Sequence, residues 1–379
     1  MNIINLKDTS NKLYYIGGIV RDYLLNRESR DIDITYVGNA IEYCSKFGKV
    51  IRVNPDFGTI RVLVDGRETD FASTRTESYP KKGHLPKVEK LGVSLKEDIM
   101  RRDFTINALA MSVSTGEIID YTGGIEDLKN KTLRVLYDES FIDDPTRIIR
   151  GLKFAMRFGF ELESHTKELQ DEYLNNINYN MSYKRVKKEL EETFGCEDIN
   201  NSAYVKFIQD GIYKLVTPHA VSLAKVDIAE LVKKYPVRHQ WLVFVGTLKD
   251  LSRLPLTKTE QKILDDVPEK TEFKSDFEIY KTFEHLHTES ILLYAILYGK
   301  NTACRYLDVL RNIKISITGD DLKSFGIKPS KKFNDCFDFV LKKKLKNPAI
   351  THEQELELCR RFFLIVNEPK KNSKNNEIL

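Results

Sequence analysis

From Tyr14 the chain reads Tyr14-Tyr15-Ile16-Gly17-Gly18-Ile19-Val20-Arg21-Asp22, and soon after comes Asp31-Ile32-Asp33-Ile34. The apolar run into Gly17 is a strand. The two glycines let backbone N–H groups come close to an anion at a helix N-terminus. Val20, Arg21 and Asp22 open a short helix, and a second strand follows. Side chains at i and i+2 of a strand share one face. Asp31 and Asp33 are therefore expected to point the same way, as two carboxylates that hold Mg²⁺ must.

Gly-Gly alone marks a turn, and Asp-x-Asp alone marks a solvated edge strand. Their combination, in the order phosphate cradle, helix, paired acids, is the plan of a nucleotidyltransferase. Gly17, Gly18, Val20, Arg21 and Asp22 match a GGxVRD motif, and Asp31 and Asp33 match the DxD that follows it. On these residues the chain resembles the class II tRNA nucleotidyltransferase and bacterial poly(A) polymerase family. The resemblance implies that Gly18 and Arg21 cradle phosphates and that Asp31 and Asp33 are catalytic metal ligands.

The bulk composition is compatible. A chain of 379 residues, 41% hydrophobic and 31% charged, can bury a sizeable core in two or three domains. No window reaches the ~18 continuous apolar residues of a membrane span, and the N-terminal residues have no apolar run of the secretory kind. The five cysteines are scattered without a CxxC pair, which points to a reduced cytoplasm and away from zinc. A net charge of +4 means that any nucleic-acid surface must come from clustering. The oligomeric state is not legible.

Residues 13 to about 122 read as mixed α/β. Thr59–Val64 alternates as a strand, Asp65-Gly66 is a hairpin turn, and a strand from Glu68 to Ala72 brings Asp70 beside the first two acids. Asp70 is either a third acid of the site or a structural carboxylate near Arg75. From about residue 126 the pattern is helical, with candidates at 166–175, 183–194, 202–212 and 289–297. The expected fold is an α+β N-terminal nucleotidyltransferase palm, a mixed sheet with helices, followed by an all-α neck, body and tail. The expected domains are a head at 1–125, a nucleotide-selecting neck at 126–200, a helical body at 201–310 and a tRNA-binding helical tail at 311–379 with a disordered end.

Two further constellations carry chemistry. Arg101-Arg102-Asp103-Phe104-Thr105-Ile106-Asn107-Ala108 supplies two cations for phosphate and an acceptor for a ribose hydroxyl; locally the same residues also read as an Arg–Asp salt bridge at a helix start. They match the family's RRDFTINA motif, which implies that Arg102 and Asp103, with Arg101, contact the nucleotide's sugar and phosphates. The segment Asp143-Asp144-Pro145-Thr146-Arg147 opens a helix capped by Asp144, with Pro145 at its first position. Arg147, Arg150, Lys153 and Arg157 lie on one side of it, with Phe154 among them and no acids at i+4. This segment resembles the family's EDxxR motif, with Asp143 in the place of the usual Glu and Lys153 in the place of a common Arg. By that resemblance Asp144 and Arg147 face the Watson–Crick edge of the incoming base, with Arg150 and Lys153 beside them on phosphate or base. An aspartate accepts from the amine of cytosine or adenine, whereas guanine or uracil would leave it unpaired.

The 181–191 helix resembles the family's neck helix, or is simply a solvated face. The tail lysines Lys328, Lys331, Lys332, Lys342, Lys343, Lys344 and Lys346 suit a tRNA backbone. The expected activity is addition of the 3′-terminal CCA to tRNA from CTP and ATP, with Mg²⁺ and release of pyrophosphate. The alternative is an enzyme that adds only A, or a poly(A) polymerase. A small-molecule nucleotidyltransferase would need neither the helical body nor the basic tail, and a catalytically dead relative would not retain Asp31 and Asp33. Between the Asp70 strand and Arg102, the stretch 77–88 with Pro80, Gly83 and Pro86 reads as an irregular loop. It is either a mere connector or, by resemblance, the loop tied to switching from C to A. Its Gly-His-Leu-Pro core leaves the A-only alternative open.

Overall fold

Alternation of Ile60, Val62 and Val64 with polar or exposed neighbours makes Thr59–Val64 a half-buried strand, and the computed structural model places it inside a seven-stranded sheet. The structure describes residues 6–367 except Lys7, Thr9, Arg30 and Lys249. The Lys- and Asn-rich terminal residues expected to be disordered lie outside that set.

The strands are β1 (Leu13–Ile16), β2 (Asp33–Tyr36), β3 (Lys49–Asn54), β4 (Thr59–Val64), β5 (Arg67–Ser73), β6 (Arg75–Ser78), β7 (Lys87–Leu91), β8 (Leu109–Ser112) and β9 (Ile118–Asp120). The main sheet has the order β3-β4-β5-β2-β1-β8-β9, while β6 and β7 pair only with each other. Every pairing in the main sheet is antiparallel except β2 with β5. Asp65 and Gly66 both adopt positive φ, 48° and 78°, as the tight β4–β5 turn requires. One face of the sheet buries Ile60, Val62 and Phe71 under α2 (Ala40–Cys44), which is tied down by a hydrogen bond from the Ala40 N–H to the Ser73 hydroxyl at 2.9 Å. The other face carries the polar groups described below.

Helices α1 (Gly18–Leu24), α3 (Leu95–Met100) and α4 (Gly124–Lys129) complete the head. Then come α5 (Ser140–Asp143), α6 (Thr146–Phe158), α7 (Ser164–Asn175), α8 (Tyr183–Phe194) and α9 (Asn201–Gln209). The helix expected over 202–212 stops at Gln209, because Gly211 at φ 72° breaks it. The helix that starts at Thr146 is not a solvated amphipath. Phe154 is buried and meets Phe104 edge-on at 5.9 Å, while Arg21 lies over the Phe158 ring at 4.5 Å. Gly151 admits this packing, since a Cβ there would stand 3.2 Å from the Phe104 ring. Phe104 thus pins α6 to the sheet.

Two compact units result. The first holds the residues up to Leu223 with His239–Leu256, which include α11 (Gln240–Val245). The second holds α10 (Ile228–Lys234), α12 (Lys258–Asp265), α13 (Asp276–Phe283), α14 (Thr288–Tyr294), α15 (Lys300–Asp308), α16 (Gly319–Ser324), α17 (Lys332–Lys346) and α18 (His352–Asn367). The helix expected to Leu297 ends as α at Tyr294 and continues as a π turn over Ala295–Gly299. In this unit Glu355 is fully buried; one of its carboxylate oxygens accepts from Ser316 and Ile317 N–H, at 2.7 and 3.1 Å, and the other meets Lys344. Lys344 is therefore turned inward, away from the basic surface expected of it. No helix among the described residues is long and apolar enough to cross a membrane.

Phe104→Ala should cost about 3–5 kcal/mol of stability, the usual range for emptying a buried aromatic site. Denaturant unfolding of the first unit's signal measures it, and a loss under about 1 kcal/mol would remove Phe104 as the pin.

Candidate functional site

Gly17 ends β1 at φ 73°, a conformation that favours glycine, and its N–H donates to the Leu109 carbonyl at 3.0 Å. A Cβ on Gly17 would sit 3.1 Å from an Arg102 guanidinium nitrogen, so the Gly17-Gly18 turn lies directly under Arg102. Gly18 opens α1. Arg21, expected on phosphate, is turned into the protein. Its Nε and Nη2 donate to Asp22 at 2.9 and 2.7 Å, and its Nη1 donates to Asn107 Oδ1 at 2.5 Å. Arg21 ties α1 to the turn after Asp103.

Asp33 begins β2, directly opposite Asp70 of β5. Both line a cavity of about 510 Å³ together with Arg61, Arg101 and Arg102. Asp33 keeps solvent contact through the mouth of this cleft while protein surrounds it elsewhere. Burial there, opposed by Arg102 and reinforced by Asp70 and Asp31, pushes its carboxyl up to about 6. Asp70 takes a two-pronged grip from Arg61, with Nε and Nη2 each at 2.7 Å from a carboxylate oxygen. Arg75, the partner considered for Asp70 from the sequence, pairs with Glu77 at 2.7 Å. Asp31 precedes β2 and opens with Lys153 into a neighbouring cavity of about 740 Å³.

Arg101 and Arg102 close α3 and do not start a helix. Both bind Asp98, one turn back, at 2.8 and 3.3 Å. Asp98 is fully buried, and despite burial these two arginines hold it below the usual carboxylate range. The Arg102 Nε is buried without a hydrogen-bond partner among the described residues, a donor left for an incoming oxyanion. Asp103 is also buried. Its Oδ1 accepts from Phe104 N–H at 2.8 Å and Asn107 Nδ2 at 3.1 Å, and its Oδ2 meets Arg150 at 2.7 Å.

The helix α6 begins one residue later than expected, at Thr146, yet Asp144 still caps it. Its Oδ1 accepts from the Thr146 N–H at 3.2 Å and from the Thr146 hydroxyl at 2.6 Å. Its Oδ2 meets Arg185 of α8. Arg147 is equally buried, and donates to Ser140 at 2.6 Å, Tyr137 at 3.1 Å, Tyr79 at 3.3 Å and the Arg101 carbonyl at 3.1 Å. The Asp144–Arg147 pair is thus wired to the main chain of the arginine motif. Lys153 finds acids after all, Glu189 at 3.1 Å and Glu192 at 2.7 Å, on α8 and not on its own helix.

Residues 77–88 are not wholly irregular. They include the end of β6 and the start of β7, so only the tip 79–86 lacks regular structure. The tip is latched down: Gly83 N–H donates to the Asp143 carbonyl at 2.9 Å, Ser182 N–H to the Gly83 carbonyl at 2.9 Å, and Lys82 meets the Asp143 carboxylate. Arg185 adds a bond to the His84 carbonyl at 3.1 Å.

The residues that hold the site in shape are Asp98, Tyr79, Tyr137, Ser140 and Arg185. Asp98 was legible, three and four residues before the arginines on a helix. Tyr79 and Arg185 come from distant segments, and Tyr137 and Ser140 reach Arg147 across the break between α5 and α6, so none of the four leaves a periodic signal. As to a metal, the carboxylates Asp31, Asp33 and Asp70 are hard oxygen donors without His or Cys, and no three metal-ligating side chains converge among the described residues. Asp33 and Asp70, which share the cleft, fit a hard divalent cation that takes one or two carboxylates and completes its shell with water and substrate phosphates.

Residues 13–134 match the family model described as the poly A polymerase head domain. An A-adding tRNA nucleotidyltransferase of Aquifex aeolicus is 46% identical over 171 residues, covering 43% of this chain and 20% of that protein. One of Geobacter sulfurreducens is 29% identical over 401 aligned residues, covering 92% of this chain and 45% of that protein. The matches thus span less than half the length of these two relatives. The solved structure of the Thermotoga maritima CCA-adding enzyme complexed with tRNA superposes with a TM-score of 0.73 at 25% identity, covering 93% of this chain and 91% of that one. With its glycine turn under Arg102 and its Asp33–Asp70 pair, this chain carries a match to the poly A polymerase head domain over residues 13–134 and is similar along most of its length to A-adding and CCA-adding tRNA nucleotidyltransferases.

Proposed function

We propose that this chain extends the 3′ end of tRNA with C and A from CTP and ATP, without a template and with release of pyrophosphate. The observation that carries the proposal is the wiring of the buried Asp144–Arg147 pair, through the Arg101 carbonyl, to the arginines beside Asp33. A base reader and a phosphate site are thereby built on one stretch of main chain.

In this reading Asp31 and Asp33, with Asp70 as a third carboxylate, hold Mg²⁺. Bound there in a two-ion arrangement, the metal would acidify the attacking 3′-hydroxyl and neutralise the triphosphate. The protein's own contribution is positional. The Gly17-Gly18 turn offers close approach, and Arg102, with Arg101, faces the phosphates. Asp103, braced by Arg150, sets the sugar. Arg21 acts on the phosphates by holding α1 and the turn in place. Asp144 accepts from the exocyclic amine of C or A, and Arg147 donates to the ring; Arg150 and Lys153 flank them. The head, neck, body and tail are proposed to divide at about residues 125, 200 and 310, with tRNA along the basic tail.

A second reading, A addition only, has its own support. The two relatives described above are named A-adding, and the hairpin tip carries Gly-His-Leu-Pro. Incubating the protein with tRNAs ending in the discriminator base, C or CC, with each single nucleoside triphosphate, separates the two. Addition of C to a tRNA that lacks it supports the first reading. Extension of CC-ended tRNA alone supports the second.

Asp33→Asn should move stability and activity in opposite directions. A folded carboxyl raised to about 6 from 3.8 lowers stability as pH climbs from about 4 to 6, and that loss persists at pH 7. Solvent contact at Asp33 screens the penalty to about 1 kcal/mol, or roughly 2–4 °C in Tm of the metal-free protein at pH 7.5. Incorporation should fall by at least ~10³-fold. A variant that keeps a tenth of wild-type turnover would refute the metal assignment.

Asp144→Ala and Arg147→Ala should flatten the preference among ATP, CTP, GTP and UTP by ~10-fold or more, the scale of one lost buried pair. Single-nucleotide incorporation rates measure this. A uniform fall with the order preserved would make both residues structural.

A further inference from the structure

One row of side chains crosses four strands. Asp33 of β2 stands opposite Asp70 of β5, Asp70 opposite Arg61 of β4, and Arg61 opposite Arg52 of β3. All four line the same cavity. Directly opposed side chains share a face of the sheet, and like charges placed so repel. Arg61 is already met by Asp70 and Glu68, at 2.7 and 3.2 Å, so the unmet charge of this row is that of Arg52.

The charges around the cavity sharpen the point. Of the five arginines that line it, four hold a carboxylate of this chain: Arg61 and Arg75 at 2.7 Å, Arg101 at 2.8 Å and Arg102 at 3.3 Å. Arg52 is exposed and, among the described residues, has no carboxylate within 4 Å of its guanidinium. It is the uncompensated cation of the cleft.

Sheet order says which phosphate it meets. The Gly17 turn follows β1, and the Arg101–Asp103 motif leads into β8, so the triphosphate side of Asp33 is the β1–β8 side. Arg61 and Arg52 lie on the opposite side, beyond β5. In phosphoryl transfer the attacking and leaving oxygens are roughly in line, on opposite sides of the phosphorus. The strand that supplies the attacking 3′-hydroxyl must then approach from the β4–β3 side. Three strand spacings put the Arg52 Cα about 14 Å from that of Asp33, within reach of the backbone just behind a primer terminus.

We propose that Arg52, with Arg61, is a subsite for an internucleotide phosphate of the RNA primer near its 3′ end. This rests on the nucleotidyltransferase reading above and adds where the acceptor strand lies.

The test uses the full chain with Arg52→Ala and Arg52→Lys. The expected result for Arg52→Ala is a KM for CC-ended tRNA raised ~10-fold, a KM for ATP within twofold of wild type, and a salt dependence of tRNA binding shallower by about one charge. Arg52→Lys should recover most of the primer affinity. Primers with a neutral methylphosphonate at each of the last three internucleotide linkages complete the test. One such linkage should weaken wild type as the substitution does and leave Arg52→Ala unaffected. An unchanged primer KM overturns the proposal, and so does a raised KM for ATP, which would give Arg52 to the triphosphate. If wild type adds no nucleotide to tRNA, the nucleotidyltransferase reading fails on its own. Binding of the same oligonucleotides, read by fluorescence anisotropy, then still decides the subsite: equal affinity of wild type and Arg52→Ala rejects it.

Discussion

The site hangs on one strand register. The parallel pairing of β2 with β5, in an otherwise antiparallel sheet, sets Asp33 opposite Asp70. On the reverse face the same register sets Ile34 opposite Phe71, both buried. A slip of one residue would turn the acids into the core and the hydrophobes into the cleft. The apolar side of the sheet thus enforces the arrangement of its polar side. The penalty on an ionised Asp33 is sustained by burial of Ile34, Phe71 and their neighbours, as strain at a functional site is generally sustained elsewhere in a fold.

A second constraint is the buried Asp98. It holds Arg101 and Arg102 and accepts the Arg75 N–H at 3.0 Å. Removing one partner of such a buried cluster leaves an uncompensated charge. The cluster fixes the main chain at Arg101, whose carbonyl receives Arg147. The Arg101–Arg102 segment and α6 are thereby registered by a polar contact, while Phe104 against Phe154 and Gly151 registers them by shape.

Much of this was legible in the sequence. The glycine turn, the strand pair around Asp65-Gly66, the neighbour relation of Asp33 and Asp70, and the limits of α8 follow from local chemistry, because turn residues and short-period patterns act within a few residues. For α6 the sequence showed a cationic side without acids on its own helix and Phe154 among those cations, but not what meets them, since Glu189, Glu192 and Phe104 come from tens of residues away. Arg21 was read as a phosphate ligand from its motif, and its burial against Asp22, Asn107 and Phe158 depends on tertiary packing. The Arg52–Arg61 opposition needs the β3–β4 register, which carries an irregularity between Val50 and Arg52 and so could not be counted off by alternation.

The β6–β7 hairpin stands apart from the main sheet. A lone two-stranded ribbon is marginal in water, so its order is borrowed from Asp98 and Arg101 at its base and from the latches at its tip. Gly83 is central to them: its φ is 76°, and a Cβ there would come within 2.8 Å of Met181. Breaking two backbone bonds and the Lys82 and Arg185 contacts would free the tip without disturbing the sheet. Such a segment has its own opening free energy, below that of the domain, and its amides exchange with solvent on their own timescale. Tyr79 and the His84 carbonyl move with it, so the Tyr79 bond to Arg147 and the His84 bond to Arg185 are only as persistent as this small latch.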